Sequence, residues 1–338
     1  MRVNRFSIHS FLFCLLLSSM IFSVDDRSGQ ISFEGRSYPL YPETMVMPPD
    51  IPSPYLTNEG LEIMVVITKT GEYAIVPVTV ENGESWLIDN KRGKGNQLKV
   101  DAKDFPYLAK TGLHSEIELQ DTKRITGKSL AEITESGRPG CSSGVGFMAQ
   151  EEDILSVLKG DNRFVSQMGL THPELSRPIF HIFNLIRLHE EWERKLDIDL
   201  ESVDHLLYNG VKICLSGWQS GHGWQDSIFD DEIRGYYQID LGRELESFEK
   251  SYLMESYSHL TEDQRSEMLE KVSQLHIGEM AAFYSMRYGF YEGHTEYRAD
   301  PIALAFIFRL KSIEEIDKAL NGRMYKALTE FFTKNKME

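Results

Sequence analysis

"GVKICLSGWQSGHGWQDSIFDDEIRGYYQIDL", residues 210–241, decides the fold class. Its two ends, 210–217 and 234–241, are short runs rich in β-branched and aromatic residues, and they read as two strands of a hairpin. Both flanks have a different period. Apolar residues recur at three and four in "PELSRPIFHIFNLIRLHEEWERKL" (173–196) and again in "LTEDQRSEMLEKVSQLHIGEMAAFYSMRYGF" (260–290), with Thr261 as the expected N-cap. Helical pattern continues in "DPIALAFIFRL" (300–310) and "SIEEIDKALNGRMYKALTEFF" (312–332). The stretch is therefore a β-hairpin set into a mainly helical region spanning 150–338.

Upstream the signal is β. "LEIMVVITKTGEYAIVPVTVENGESWLI" (61–88) carries β-branched runs divided at Thr70-Gly71 and Asn82-Gly83, which are hairpin turns, so 59–120 reads as a β-rich domain. Six of the twelve prolines fall between Pro39 and Pro54, which makes 24–58 an extended arm. Residues 121–149 read as a connector. The expected class is α+β: a small N-terminal antiparallel β region, then a larger mainly α-helical domain with an inserted hairpin near 210–241.

At 338 residues, 41% hydrophobic and 26% charged, the chain has the composition of a folded protein. A net charge of −16 argues against nucleic acid as a partner. Arg2 and Arg5 precede "FLFCLLLSSMIF" (11–22), and no acid occurs before Asp25. That is the pattern of a secretory signal peptide, residues 1–23, too short to serve as a stable membrane span. The expected localisation is periplasmic or secreted. An oxidising compartment would permit Cys141 and Cys214 to pair, although their spacing does not require it. No N-x-[ST] sequon is present, which favours bacterial export.

Several partial motifs fail on their own chemistry. "ITGKSL" (125–130) lacks the earlier glycine of a phosphate loop, since that position is Thr122. "GVGFMA" (144–149) has no strand leading into it and is no dinucleotide site. "DIDLESVD" (197–204) has Ser202 and Tyr208 where a calcium loop needs glycine and glutamate, and reads instead as a solvated helix start. Cys141 has no local histidine or second cysteine to activate it.

Two constellations remain. The expected loop 217–233 combines Trp218 and Trp224 with His222, Asp226 and Glu232; aromatic area beside carboxylates and an imidazole is what recognises saccharide or peptide. The same residues also read as a packed connection whose acids cap the next element. The second is "YEGHTEYRADP" (291–301), where Asp300-Pro301 starts a helix and Glu292, His294 and Arg298 are not required by helix grammar. His294 is the candidate general base, oriented by a neighbouring carboxylate, with Arg298 steadying negative charge. His276, Glu279, Phe283 and Arg287 fall on one stripe of the expected helix, and the first two could share a metal. His181 and Asn184 read as core polar residues, and His172 as a residue of the turn before Pro173.

These residues imply an extracytoplasmic hydrolase or a non-catalytic envelope or secreted binding protein, acting on a small molecule, saccharide or peptide. Cofactor and metal are left open. The two readings part on whether His222 and His294 share one pocket.

Overall fold

Antiparallel strand pairing frames the molecule. The computed structural model describes the strands Gln30–Phe33 (β1), Arg36–Pro39 (β2), Tyr55–Leu56 (β3), Glu62–Thr68 (β4) and Tyr73–Pro77 (β5), residues 113 and 119, and residues 128–187, 203–208, 211–229 and 234–332. The signal peptide expected at 1–23 and most of the arm expected at 24–58 lie outside the described residues. Both helices and an antiparallel sheet are present, so the chain is a mixed α+β protein.

β1 and β2 pair with each other. The remaining strands form one seven-stranded sheet, ordered β3-β4-β6-β7-β8-β9, with Val203–Tyr208 as β6, Val211–Asp226 as β7, Arg234–Gly242 as β8 and Gln274–Gly278 as β9; β5 pairs with β4. Residues 65–67 of β4 face β5 on one edge and β6 on the other. The strands expected in the 59–120 region are thus continuous with those of the hairpin. β6 takes in the last two residues, 203 and 204, of the stretch 197–204 read from the sequence as a solvated helix start, and the rest of that stretch lies outside the described residues. Tyr208 stands opposite Val211, and the residues between them are Asn-Gly, the pair favoured in two-residue hairpins.

The hairpin differs from expectation in the length of its first strand. β7 continues through residue 226, so Trp218, His222 and Trp224 stand on a strand and not on a loop. Its register against β8 shifts between Ser216 and Gln219 and again between Ser220 and Gln225. Gly217, Gly221 and Gly223 fall inside those shifts, where glycine lets a strand bulge without a side chain to place.

Nine helices are described: Leu130–Ser136 (α1), Ile154–Gln167 (α2), His172–Arg187 (α3), Ser247–Ser256 (α4), Glu262–Ser273 (α5), Met280–Tyr288 (α6), Pro301–Ile307 (α7), Ile313–Ala319 (α8) and Met324–Thr329 (α9). α1 lies within the expected connector 121–149. Their starts follow local chemistry: Ser129, Thr261 and Ser312 each close a capping box, and Asp153 accepts from the amide of Ser156. The helix expected across 261–290 is broken, because residues 274–278 pair with β8 as strand β9. That break removes the stripe proposed for His276 and Glu279 as joint metal ligands.

The core lies between the helices and one face of the sheet. Every residue of α7 is buried, so this short apolar helix is covered on all sides. α6 packs on α3, and α5 packs on α7 and α9. One ion pair is sealed among them: Arg243 meets Glu249 at 2.9 Å, donates to the carbonyl of Phe306 and lies 3.7 Å over the Phe306 ring. No helix among the described residues is long and apolar enough to cross a membrane.

Candidate active site

The segment 291–300 leaves α6 through Gly289, whose φ of 59° supplies the left-handed turn that ends the helix. It enters α7 through Asp300, whose carboxylate accepts from the amide of Ile302 with Pro301 in the first turn, as the Asp-Pro pair predicts. Between these fixed ends the chain adopts an unusual conformation. Glu292 has φ 64°, a region that costs a non-glycine residue about 1–3 kcal/mol and is found where the surroundings over-determine it.

Arg298 supplies that determination. Its guanidinium donates to Asp161 at 2.6 Å, to Asp300 at 2.8 Å and to the backbone carbonyl of Glu292. All four groups are buried. Arg298 was expected either to steady negative charge on a ligand or to bridge to Glu292 or Glu296 and fix the turn; it is the strut of the turn, through Asp161, Asp300 and the Glu292 carbonyl. One cation here faces two carboxylates. Burial, offset by Arg298 and reinforced by Asp300, pushes Asp161 up to about 7, and its Oδ2 has no partner among the described residues. Burial works against the charge of Arg298, but Asp161 and Asp300 outweigh it and hold the guanidinium ionised.

His294 is oriented by a carboxylate, as expected, but the carboxylate is Glu152 and not Glu292 or Glu296. His294 Nδ1 lies 2.6 Å from Glu152 Oε1, and its amide donates to Oε2 at 2.8 Å. The amides of Ala149 and Phe332 complete the shell of Glu152. Burial would raise this carboxyl, yet the hydrogen bond to the His294 ring and those from the amides of Phe332 and His294 hold it below the usual range. Burial also lowers His294, more than Glu152 raises it. The pair is a neutral imidazole donating Nδ1–H to a carboxylate. Nε2 is then an acceptor, buried and with no hydrogen-bond partner among the described residues. The rings of Phe331 and Phe332 cover the imidazole, with centroids at 5.4 and 5.0 Å. Gly293 permits the arrangement: a Cβ there would lie 2.1 Å from Glu152 Oε2.

Glu292 faces the other way, onto a cavity of about 570 Å³ between the loop 142–146 and the ends of β8 and β9. Its carboxyl takes a hydrogen bond from Thr295 at 3.2 Å. Burial drives its pKa well above the ordinary glutamate value, with Thr295 and Arg298 offsetting only part. Glu279 borders the same cavity and accepts from the amide of Tyr236 at 2.7 Å. Gln225, Gln238 and Tyr297 add amides and a phenol to the wall, and Ser142 and Ser143 add hydroxyls. The serine loop is held in place by the 291–300 segment, because the Gly293 amide donates to Phe147 at 2.7 Å.

No protein-family model matches this sequence, and no match was found among curated proteins or among solved structures. The site is therefore read from its own geometry.

The expected residues divide accordingly. Glu292 borders the cavity, and His294 and Arg298 stand behind it. Asp226 ends β7 and forms a surface pair with Arg234 at 2.7 Å, its side chain 65% exposed. Glu232 lies outside the described residues, as do the side chains of Trp218, His222 and Trp224. His276 pairs with Asp240 on the sheet and packs its ring 4.7 Å from that of Tyr297. No group of three metal-ligating side chains occurs among the described residues. Cys141 and Cys214 are separate free thiols, the first exposed. His172 is no mere turn residue: it starts α3, fully buried, against the hydroxyl of Tyr291 at 2.9 Å.

Three contributors were missed by sequence reasoning: Glu152, Asp161 and the serine loop. Asp161 carries a signal. It follows Ile154, Val157 and Leu158 on the apolar stripe of α2, where a carboxylate is out of place unless it has a buried partner.

Proposed function

We propose that this chain is an extracytoplasmic hydrolase whose active site is the 570 Å³ cavity, with a saccharide as its substrate. One observation carries the reading: a buried carboxyl with a raised pKa, Glu292, held in a strained turn at the wall of a cavity that a second carboxyl, Glu279, also borders. A carboxylic acid that holds its proton above the ordinary glutamate range is what glycosidic cleavage needs at the departing oxygen. In this scheme Glu292 gives its proton to that oxygen as the carbon–oxygen bond breaks. Glu279 directs the water that adds to the sugar carbon and takes up the proton the water loses. The amides of Gln225 and Gln238, the hydroxyls of the serine loop and the phenol of Tyr297 match the alternating donors and acceptors of a sugar.

The proposal also keeps the organisation expected from the sequence, with residues 1–23 as a signal peptide and a β region preceding a mainly helical one. Purified protein would be screened against a glycoside panel. Glu292→Gln should lower turnover by about 10²–10⁴-fold while melting like the wild type. A variant that hydrolyses at the wild-type rate would overturn the assignment.

A second reading, a non-catalytic binding protein, draws on the commitment of Glu279 to the Tyr236 amide. Saturable glycan binding without hydrolysis, lost in Tyr297→Ala, would favour it.

A further inference from the structure

A second cavity, of about 360 Å³, lies on the far side of the Glu152–His294 pair and is separate from the proposed active site. Its rim carries Arg163, Arg323 and Lys326 with Gln167 and one carboxylate, Glu330; its floor is apolar, formed by Phe164, Leu320 and Phe332. Three cations on one rim are unexpected in a chain with 52 acidic residues against 36 basic ones. Lys326 has Glu330 as a partner at 3.4 Å. Arg163 and Arg323 have no acidic partner among the described residues, although both are exposed on an acidic protein.

The floor is as specifically built as the rim. Phe332 is fixed by the hydrogen bond its amide donates to the Glu152 carboxylate at 3.1 Å, and its ring rests on the bare backbone of Gly160, where a Cβ would come within 2.4 Å. Arg298 lies behind the same ring at 5.2 Å. Phe331 beside it is 41% exposed. Two guanidinium groups without an acidic partner among the described residues, that of Arg163 lying 5.4 Å over the Phe164 ring, offer forked donors to a carboxylate, and the phenyl floor offers dry contact to a chain or ring attached to it.

We infer that this cavity is a binding site for a small amphipathic carboxylate, its head between Arg163 and Arg323 and its apolar body over Phe164 and Phe332. The inference does not depend on the hydrolase reading.

Decanoate, decanol and acetate are the probes, titrated calorimetrically into the full chain. Decanoate should bind saturably at one site, and the other two at least about tenfold more weakly, since each lacks one half of the recognition. The double variant Arg163→Gln, Arg323→Gln changes two exposed side chains; it should melt like the wild type and bind decanoate at least about tenfold more weakly. Glu292→Gln should bind decanoate as the wild type does. Absence of saturable decanoate binding, equal affinity for decanol, or unchanged affinity in the double variant would overturn the inference. So would binding abolished by Glu292→Gln and kept in the double variant, which would put the ligand in the other cavity.

Discussion

Gly293→Ala should unfold this protein more easily by an amount that can be worked out in advance. The added Cβ would stand 2.1 Å from Glu152 Oε2 and 2.9 Å from the Cα of Met148. Met148 is backbone, tied by its own amide to Gly137 at 3.1 Å, so the carboxylate must give way. Displacing it strips hydrogen bonds from the amides of Ala149, His294 and Phe332 and from the His294 ring, all held by that one side chain. Bonds to a charged group are worth about 1.5–3 kcal/mol each, and leaving a buried charge without its partners costs about 3–5 kcal/mol. The larger framework relaxes, so the expected loss is about 3–5 kcal/mol and not the sum over four bonds. Urea unfolding followed by far-ultraviolet circular dichroism would show it as a lower midpoint at unchanged slope. Gly278→Ala serves as the control: its Cβ would meet nothing within 4 Å, and the change should stay within about 0.5 kcal/mol. A Gly293→Ala protein within about 1 kcal/mol of the wild type would refute the idea that Glu152 locks the segment.

Other expectations follow from single groups. Glu249→Ala leaves Arg243 charged and buried above Phe306, and should cost about 3–5 kcal/mol in thermal or urea unfolding; a loss below 1 kcal/mol would contradict the buried pair. Asp161 holds its proton up to about 7 when folded, whereas an unfolded aspartate releases it near 4. The folded state thus binds the extra proton between those values, so stability falls as pH rises through that window and levels off above it. Asp161→Asn should flatten this slope in melting temperatures taken from pH 4 to 8, whatever its effect on the absolute value; an unchanged slope would reassign it. Cys141 is exposed, while burial, then Glu244 and Asp204, raise the Cys214 thiol, so a thiol reagent at neutral pH should modify Cys141 first. Mass spectrometry of partly labelled protein would show the opposite order if the reasoning fails.

How far the sequence reaches depends on how local each cause is. Thr261, Asp300 and Pro301 announced helix starts, because a cap needs only the few residues after it. β9 was not legible. Its five residues, Gln274–Gly278, sit between two helical patterns, and what makes them a strand is the open edge of β8 beside them. The glycines of β7 pointed to a loop because bulges and loops use the same residue for the same freedom. At the site, Glu292 and His294 stood out because nothing local required them. Their assignments could not be completed: Glu152 is 142 residues from His294, and Asp161 is 137 from Arg298. Pairings at that separation are fixed by how α2 packs beside the 291–300 segment. Only Asp161, a carboxylate on an apolar stripe, hinted at a buried partner.

The central claim is that Glu292 is a buried acid poised to give up a proton, and it can be tested without knowing the substrate. Infrared difference spectra between the wild type and Glu292→Gln, recorded across pH, isolate this one carboxyl group. A protonated carboxyl band should persist well above the roughly 4.3 at which a free glutamate titrates. A band already converted to carboxylate at or below that pH would contradict it.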